Sequence, residues 1–261
     1  MIRSYFVDGD KGGVGKSTVA RMVADMLISA EANGIDPVDR LFIIDADPSN
    51  PDVCGSGGYV DEDFDRTRIT AIEHPIRVAQ DWINLINQLD EKIGIADQDN
   101  VRIVFSLPSA AGLIILENND IAEMMEVFNG VSVWVLGNDK SSVEALEKRV
   151  HGLPSSYEKG FAIRNLRHGN ADTFRFWNDS TLRHKLTGKN TGFRWQEIDF
   201  LVLHTNVMLD LGKTPLHQAA TTRTGAEGKR LGLGTHISLK THRATMGRRL
   251  ALMEQGLSDG A

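Results

Sequence analysis

The stretch Ile2-Arg3-Ser4-Tyr5-Phe6-Val7-Asp8-Gly9-Asp10-Lys11-Gly12-Gly13-Val14-Gly15-Lys16-Ser17-Thr18 decides the fold. Its first part, Ile2 to Val7, is a short β-rich run that halts at Asp8-Gly9-Asp10. From Ser17 onward, Val19, Ala20, Val23, Ala24, Leu27 and Ile28 fall at helical spacing, and Asn33-Gly34 ends the run. A strand, a glycine-rich turn and a helix in that order are the setting a phosphate-binding loop requires. Gly12, Gly13 and Gly15 lack a Cβ, so the backbone can fold tightly and turn its N–H groups onto phosphate oxygens. The start of the helix adds its positive dipole end. In such a loop Lys16 neutralises the β- and γ-phosphates and Ser17 places its hydroxyl on Mg²⁺, with Val14 and Thr18 completing the cradle.

Outward from this stretch, strand and helix signals alternate. Leu41 to Ile44 reads as a second strand, closed by Asp45-Ala46-Asp47-Pro48. Residues 49–70 are rich in Gly, Asp, Ser and Pro and read as a loop. Ile72, Ile76, Ala79, Ile83, Ile86 and Leu89 predict a long amphipathic helix over residues 71–93. Val101 to Leu107 is a third strand, Ile121 to Phe128 a helix and Val131 to Leu136 a fourth strand. Ser141 to Val150 is the next helix and Phe161 to Ile163 a fifth strand. A last strand at Asp199 to Leu203 and a C-terminal helix from Leu239 to Leu257 complete the pattern. Near-continuous apolar strands separated by helices predict an α/β fold with a mostly parallel sheet flanked by helices on both faces. One domain over residues 1–261 is expected, since no linker or internal repeat divides the chain.

Composition bounds the partners. Hydrophobic residues make up 41% and charged ones 25% of the 261 residues, enough to form a core. The net charge of -6 argues against a general nucleic-acid coat, so any DNA contact must come from a local basic patch. Cys54 is the one cysteine, which excludes an internal disulfide and points to a reducing cytoplasm. No run of ~18 apolar residues offers a membrane span, and the eight histidines show no zinc-motif spacing.

Two carboxylates, Asp45 and Asp47, stand at the carboxyl end of the second strand, where ligands gather in open α/β sheets. Alternation along an extended chain directs both to one side. Asx capping of a turn is the other reading of Asp-x-Asp-Pro.

The loop departs from the standard Walker pattern, because Asp10 stands where its first glycine belongs and Lys11 follows at once. Here the chain resembles the ParA/MinD family of deviant Walker A ATPases, well over residues 2–47 and loosely in the later order of elements. The resemblance implies a P-loop NTPase fold, ATP and Mg²⁺ as ligands, and an ATP-dependent homodimer with slow hydrolysis. It implies that Lys11 reaches the partner's nucleotide, that Asp45 orders magnesium waters and that Asp47 orients the attacking water. A cation supplied in trans would stabilise charge on the terminal phosphate as an arginine finger does; a solvated loop lysine is the bland alternative. Asp10, a carboxylate beside a triphosphate, must point away or meet a cation. At the family's Walker B position, Val104-Phe105-Ser106-Leu107-Pro108 keeps the frame but puts Ser106 in place of the acid. A serine brings no charge, which predicts weaker Mg²⁺-ATP binding or slow turnover. In similar proteins an asparagine at the end of the fifth strand reads the adenine edge, which implies that role for Asn165; a turn asparagine is the alternative.

Past residue 170 the resemblance thins. Phe174, Phe176, Trp177 and Trp195 mix with Arg175, Arg183, Lys185, Lys189 and Arg194, either as a nucleic-acid surface or, in the preferred reading, as partial core plus a solvated face. The C-terminal helix carries Lys240, His242, Arg243, Arg248 and Arg249 beside Leu239, Met246, Leu250, Met253 and Leu257. Packing, a DNA patch and a membrane-surface helix compete there, and packing is preferred. The resemblance implies partition, positioning or conjugative mobilisation of plasmid DNA or a protein cargo. The rival is a nucleotide-binding scaffold that has lost turnover through Ser106. A dethiobiotin-synthetase-like ligase is disfavoured by Lys11, and a nitrogenase-reductase-like protein by the lone cysteine.

Overall fold

Strand β1, Ile2–Asp8, occupies the centre of a seven-stranded sheet of order β3-β2-β4-β1-β5-β6-β7. The structure is a computed structural model and describes residues 1–49, 51–59, 68–94, 99–109, 123, 125–153 and 155–256. The other strands are β2 Arg40–Asp45, β3 Ile69–Glu73, β4 Val101–Ser106, β5 Gly130–Leu136, β6 Lys159–Asn165 and β7 Arg194–Phe200. Every pairing is parallel, with Val7 opposite Ser106 and Asp45 opposite both Ser106 and Glu73. Parallel neighbours need crossovers, and helices supply them. These are α1 Lys16–Ile28, α2 Ala79–Ile93, α3 Lys140–Gly152, α4 Arg175–Asn178, α5 Thr181–Thr187, α6 Thr205–Leu211, α7 Leu216–Thr222, α8 Leu233–Leu250 and α9 Leu252–Gln255.

Alternation along each strand builds two cores, one on either face of the sheet. Val7, Ile43, Val104, Val133 and Ile163 face α1 and the C-terminal helices, which add Val23, Leu216, Leu239, Met246 and Met253. Phe6, Phe42, Phe105, Trp134 and Trp195 face α2 to α5, which add Trp82, Leu89, Leu146, Trp177 and Leu186. The ring of Phe6 stacks on Phe105 at 4.5 Å between centroids. The expected sheet with helices on both faces is therefore present.

Three expectations need correction. The start of the 71–93 helix is strand β3, and the helix begins only at Ala79. Ile72 and Ile76 are four apart, which mimics a helical face, yet Ile72 pairs with Ile44 across the sheet. The last strand is β7 and starts at Arg194, five residues before Asp199; polar Gln196 and Glu197 between Trp195 and Ile198 hide its apolar side. The C-terminal helix begins at Leu233 and breaks after Leu250 into α9. Of the 121–128 helix, residues 121, 122 and 124 lie outside the described residues, while 123 and 125–127 are helical; Leu257 lies outside too.

Packing is the role the tail plays here. Phe174, Trp177 and Trp195 are buried, and Arg183 and Arg194 pair with Glu197 and Glu158. On α8, Leu239, Met246 and Leu250 are buried against α1, α6 and α7, and the Arg243 Nε donates to both carboxylate oxygens of Asp25 at 2.8 and 2.7 Å. From α9, Glu254 accepts hydrogen bonds from Arg3, Tyr5 and Arg102 on the two central strands. Burial disfavours its ionisation, but these partners outweigh it and hold the Glu254 carboxyl below its ordinary range.

Candidate functional site

The chain order sets where a site can form. After β1 the chain builds β2, β3 and β4 on one side, then β5, β6 and β7 on the other. Loops that leave in opposite directions from adjacent strands open a crevice at their carboxyl ends. The loop after β1 sits in that crevice.

Its conformation depends on glycine. Gly13 has φ +82° and Gly15 has φ +104°, a left-handed region that favours glycine. A Cβ on Gly15 would lie 2.3 Å from the Asn165 Nδ2. Gly15 is also the N-cap of α1, with no side chain capping it, so the first-turn N–H groups remain open to a ligand. Lys16, nearly buried, donates from Nζ to the Lys11 carbonyl at 2.9 Å and to the Ser109 Oγ at 2.9 Å. Burial pushes the Lys16 amine below its ordinary pKa, opposed by the charges of Asp8, Asp47 and Asp10. A cleft of ≈ 570 Å³ opens above it, lined by Gly12, Gly13, Gly15, Lys16, Ser17 and Thr18 on one side. Across it stand Asp47, Asp52, Arg77, Ser109 and Arg167.

The two acids after β2 part company. Asp47 lines the cleft, whereas Asp45 does not. Asp45 is buried, and its Oδ2 accepts from the backbone N–H groups of Val53 at 2.7 Å and Cys54 at 3.0 Å. Burial raises its pKa against the pull of these bonds. Its carboxylate thus fastens the segment after β2, the capping alternative to the magnesium role. Ser106 is buried at the end of β4, beside Asp45 in the register, and does not line the cleft. Ser109, three residues on, is the serine that meets Lys16. Sequence reasoning missed it, along with Arg77, Asp52 and Arg167. Arg77 was hidden inside the helix expected over 71–93, and nothing in the local sequence marks Ser109.

Lys11 is half exposed and pairs with Asp139, the N-cap residue of α3, whose Oδ1 also accepts from the Ser142 N–H. The hydrogen bond raises the pKa of Lys11 and lowers that of Asp139. Asp10 meets the Ser141 Oγ at 2.8 Å, so its carboxylate is drawn to the start of α3. Below the loop, Asp8 accepts from Arg149 at 2.9 Å, and burial pushes its carboxyl up despite that partner.

Asn165 ends β6 beneath the loop. Its Nδ2 donates to the Val14 carbonyl at 2.7 Å and its Oδ1 accepts from the Arg167 N–H at 3.1 Å. It lines a smaller pocket of ≈ 90 Å³ with Gly15, Thr18, Arg167, Phe200 and Leu203. The geometry thus brings Lys16, Ser17, Thr18 and Asp47 to one cleft and Asn165 to an adjoining apolar pocket, while Asp45 lines neither. Among the described residues, no three His, Cys, Asp or Glu side chains form a ready metal cluster. No described helix is long and apolar enough to cross a membrane.

The parallel sheet with helices on both faces and a glycine-rich loop leading into its first helix define an α/β fold of the kind that P-loop proteins share. ParA of pNOB8, solved bound to nonspecific DNA, superposes with a TM-score of 0.55 over 100% of both chains at 12% identity, which speaks for the fold alone. A nucleotide-binding protein from Archaeoglobus fulgidus, solved in complex with ADP, reaches a TM-score of 0.46 at 15% identity over 82% of this chain and 87% of its own. In sequence, the chain is similar to the protein MobD of Acidithiobacillus ferrooxidans, 29% identical over 185 residues, 69% of this chain and 70% of that protein. No family model matches.

Proposed function

We propose that this protein binds ATP with Mg²⁺ in the cleft over α1 and acts as a switch whose bound triphosphate pairs it with a second copy. The observation that carries the reading is the Lys16 ammonium, seated at the floor of a glycine cradle and bonded, among the described residues, to a carbonyl and a hydroxyl, neutral groups that a phosphate would displace. The residues present fit the nucleotide. Backbone N–H groups at the α1 start face the cleft, and the pocket beside Asn165 is apolar enough for a base.

In this reading Gly12, Gly13, Val14, Gly15, Lys16, Ser17 and Thr18 hold the phosphates, and Asn165 positions the base with the hydrogen and lone pair its present bonds leave free. Ser17 would give the metal its hydroxyl, and Asp45, released from the Val53 and Cys54 N–H groups, would reach it through water. Bound Mg²⁺ would neutralise charge on the phosphates. Asp47, in the cleft, holds a water for attack. Lys11 releases Asp139 and reaches the partner's nucleotide.

The work done by the switch is partition, positioning or conjugative mobilisation of plasmid DNA or a protein cargo in the cytoplasm. A relative named MobD and a fold shared with a DNA-bound ParA both agree with this. Sedimentation with ADP and with a non-hydrolysable ATP analogue tests the switch. Dimer only with the triphosphate is expected, and loss of that dimer in Lys11→Ala. Association that ignores the nucleotide refutes it. The second reading, a scaffold without turnover, is favoured by one finding: both an uncharged Ser106 and an engaged Asp45 stand where metal-ordering charge is needed. It predicts no steady-state phosphate release with or without DNA.

A further inference from the structure

Arg77 has no task in the fold that explains where its charge is held. It lies between β3 and α2, in a segment fastened at both ends. The His74 N–H donates to the Asp45 carbonyl at 2.9 Å and the Ile76 N–H to the Ala46 carbonyl at 3.0 Å, so the loop runs alongside the chain leading to Asp47. On its other side the Asp81 carboxylate accepts from the backbone N–H groups of Arg77 at 2.7 Å and Val78 at 3.1 Å. The backbone is thereby fixed, while the exposed guanidinium makes no hydrogen bond or ion pair among the described residues. Several arginines elsewhere in the fold are paired with acids, Arg149 with Asp8, Arg164 with Asp199, Arg183 with Glu197 and Arg243 with Asp25, and others such as Arg21 and Arg40 donate to backbone carbonyls.

The cleft gives that free guanidinium a direction. Arg77 lines it together with Lys16, Ser17 and Asp47, but it does not line the pocket beside Asn165, whereas Arg167 lines both. Arg77 therefore belongs to the part of the cleft that the base pocket does not share, the part that a phosphate chain cradled by the loop would occupy. A guanidinium is a planar fork suited to phosphate oxygens, and pairs of this kind are among the stronger hydrogen bonds.

We propose that Arg77 grips the terminal phosphate of the bound nucleotide within its own protomer, so that the cleft prefers a triphosphate over a diphosphate. The assignment rests on the nucleotide-binding reading above. It adds the residue that tells ATP from ADP before any second copy arrives.

The test is a calorimetric titration of ADP and of a non-hydrolysable ATP analogue, each with Mg²⁺, into wild type, Arg77→Ala and Arg77→Lys at concentrations where the protein is monomeric. Loss of a charged hydrogen bond to the phosphate weakens the analogue about tenfold or more in Arg77→Ala, with ADP nearly unchanged. Arg77→Lys, which keeps the charge and loses the fork, falls between. Equal changes for both nucleotides, or none for either, overturn the assignment to Arg77 while leaving nucleotide binding intact. A wild type that binds neither nucleotide overturns the functional reading, and this one with it. An unchanged urea midpoint for Arg77→Ala, expected of an exposed side chain, shows that any effect on affinity is local.

Discussion

Replacing Gly15 by alanine strikes the joint between the phosphate loop and β6. Two costs follow from the geometry. At φ +104° and ψ 22° an L side chain is strained, worth ~1–3 kcal/mol. The added Cβ also meets the Asn165 Nδ2 at 2.3 Å, so the amide must leave and its 2.7 Å bond to the Val14 carbonyl is lost. Leaving a buried acceptor unsatisfied costs ~1–3 kcal/mol. The sum, ~2–6 kcal/mol, is a large share of the stability of an ordinary domain. The two parts separate in a double-mutant cycle by urea denaturation at neutral pH. Asn165→Ala removes the amide and its bonds at a cost of ~1–3 kcal/mol by itself. Added to Gly15→Ala it removes the collision and has no bond left to lose, so the double variant carries the backbone strain and the lost bond once each. The double variant should then be more stable than the sum of the singles by ~1–3 kcal/mol. Costs that add to within ~0.5 kcal/mol would show that the loop and Asn165 do not bear on each other.

Other outcomes are expected away from the cleft. Glu254→Gln leaves the guanidinium groups of Arg3 and Arg102 buried without their counter-charge and costs ~3–5 kcal/mol in urea denaturation, with nucleotide affinity intact. Because the folded Glu254 pKa is lowered, its contribution is present above the unfolded value and fades as pH falls through the folded one. Wild type should therefore lose more stability than the variant on acidification below about pH 4.3. His242 works from the other side: burial lowers it to about 4, edge-on to Phe200, so the unfolded chain takes up its proton first. Its stabilising effect is present above about pH 6.5 and is lost as pH falls toward 4. His242→Leu should narrow the gap between urea midpoints measured at pH 7 and pH 4.5; an unchanged gap means that the ring titrates as it does in water.

Legibility in the sequence followed burial. Four strands of the sheet interior, β1, β2, β4 and β5, each hold a run of buried apolar residues and stood out as strands. The two edge strands were misread in their bounds, because each pairs along one edge only and its sequence mixes with that of a neighbour: β3 took on the spacing of the helix after it, and β7 placed polar Gln196 and Glu197 between its buried residues. Within the site, local motifs were readable and long-range contacts were not. Gly15, Lys16 and Asp47 carry their chemistry in adjacent residues. The bond from Lys16 to Ser109 spans 93 residues, and the pairing of Lys11 with Asp139 spans 128, so no window of sequence contains them. Asp45 and Asp47 look alike in sequence, and only the return of residues 53 and 54 over Asp45 separates a fastening carboxylate from one open to the cleft.

The carboxylate of Glu254 is separated from Arg3 by 251 residues and from Arg102 by 152. During synthesis at roughly 5–20 residues per second, the first strand emerges from the ribosome some tens of seconds before the group that neutralises it exists. Until then two guanidinium groups stand at the middle of a sheet that cannot bury them without loss. The nascent chain therefore has reason to keep its central strands apart until its final helix is made, and a translation pause ahead of codon 254 would prolong the interval in which they wait for a chaperone or for each other.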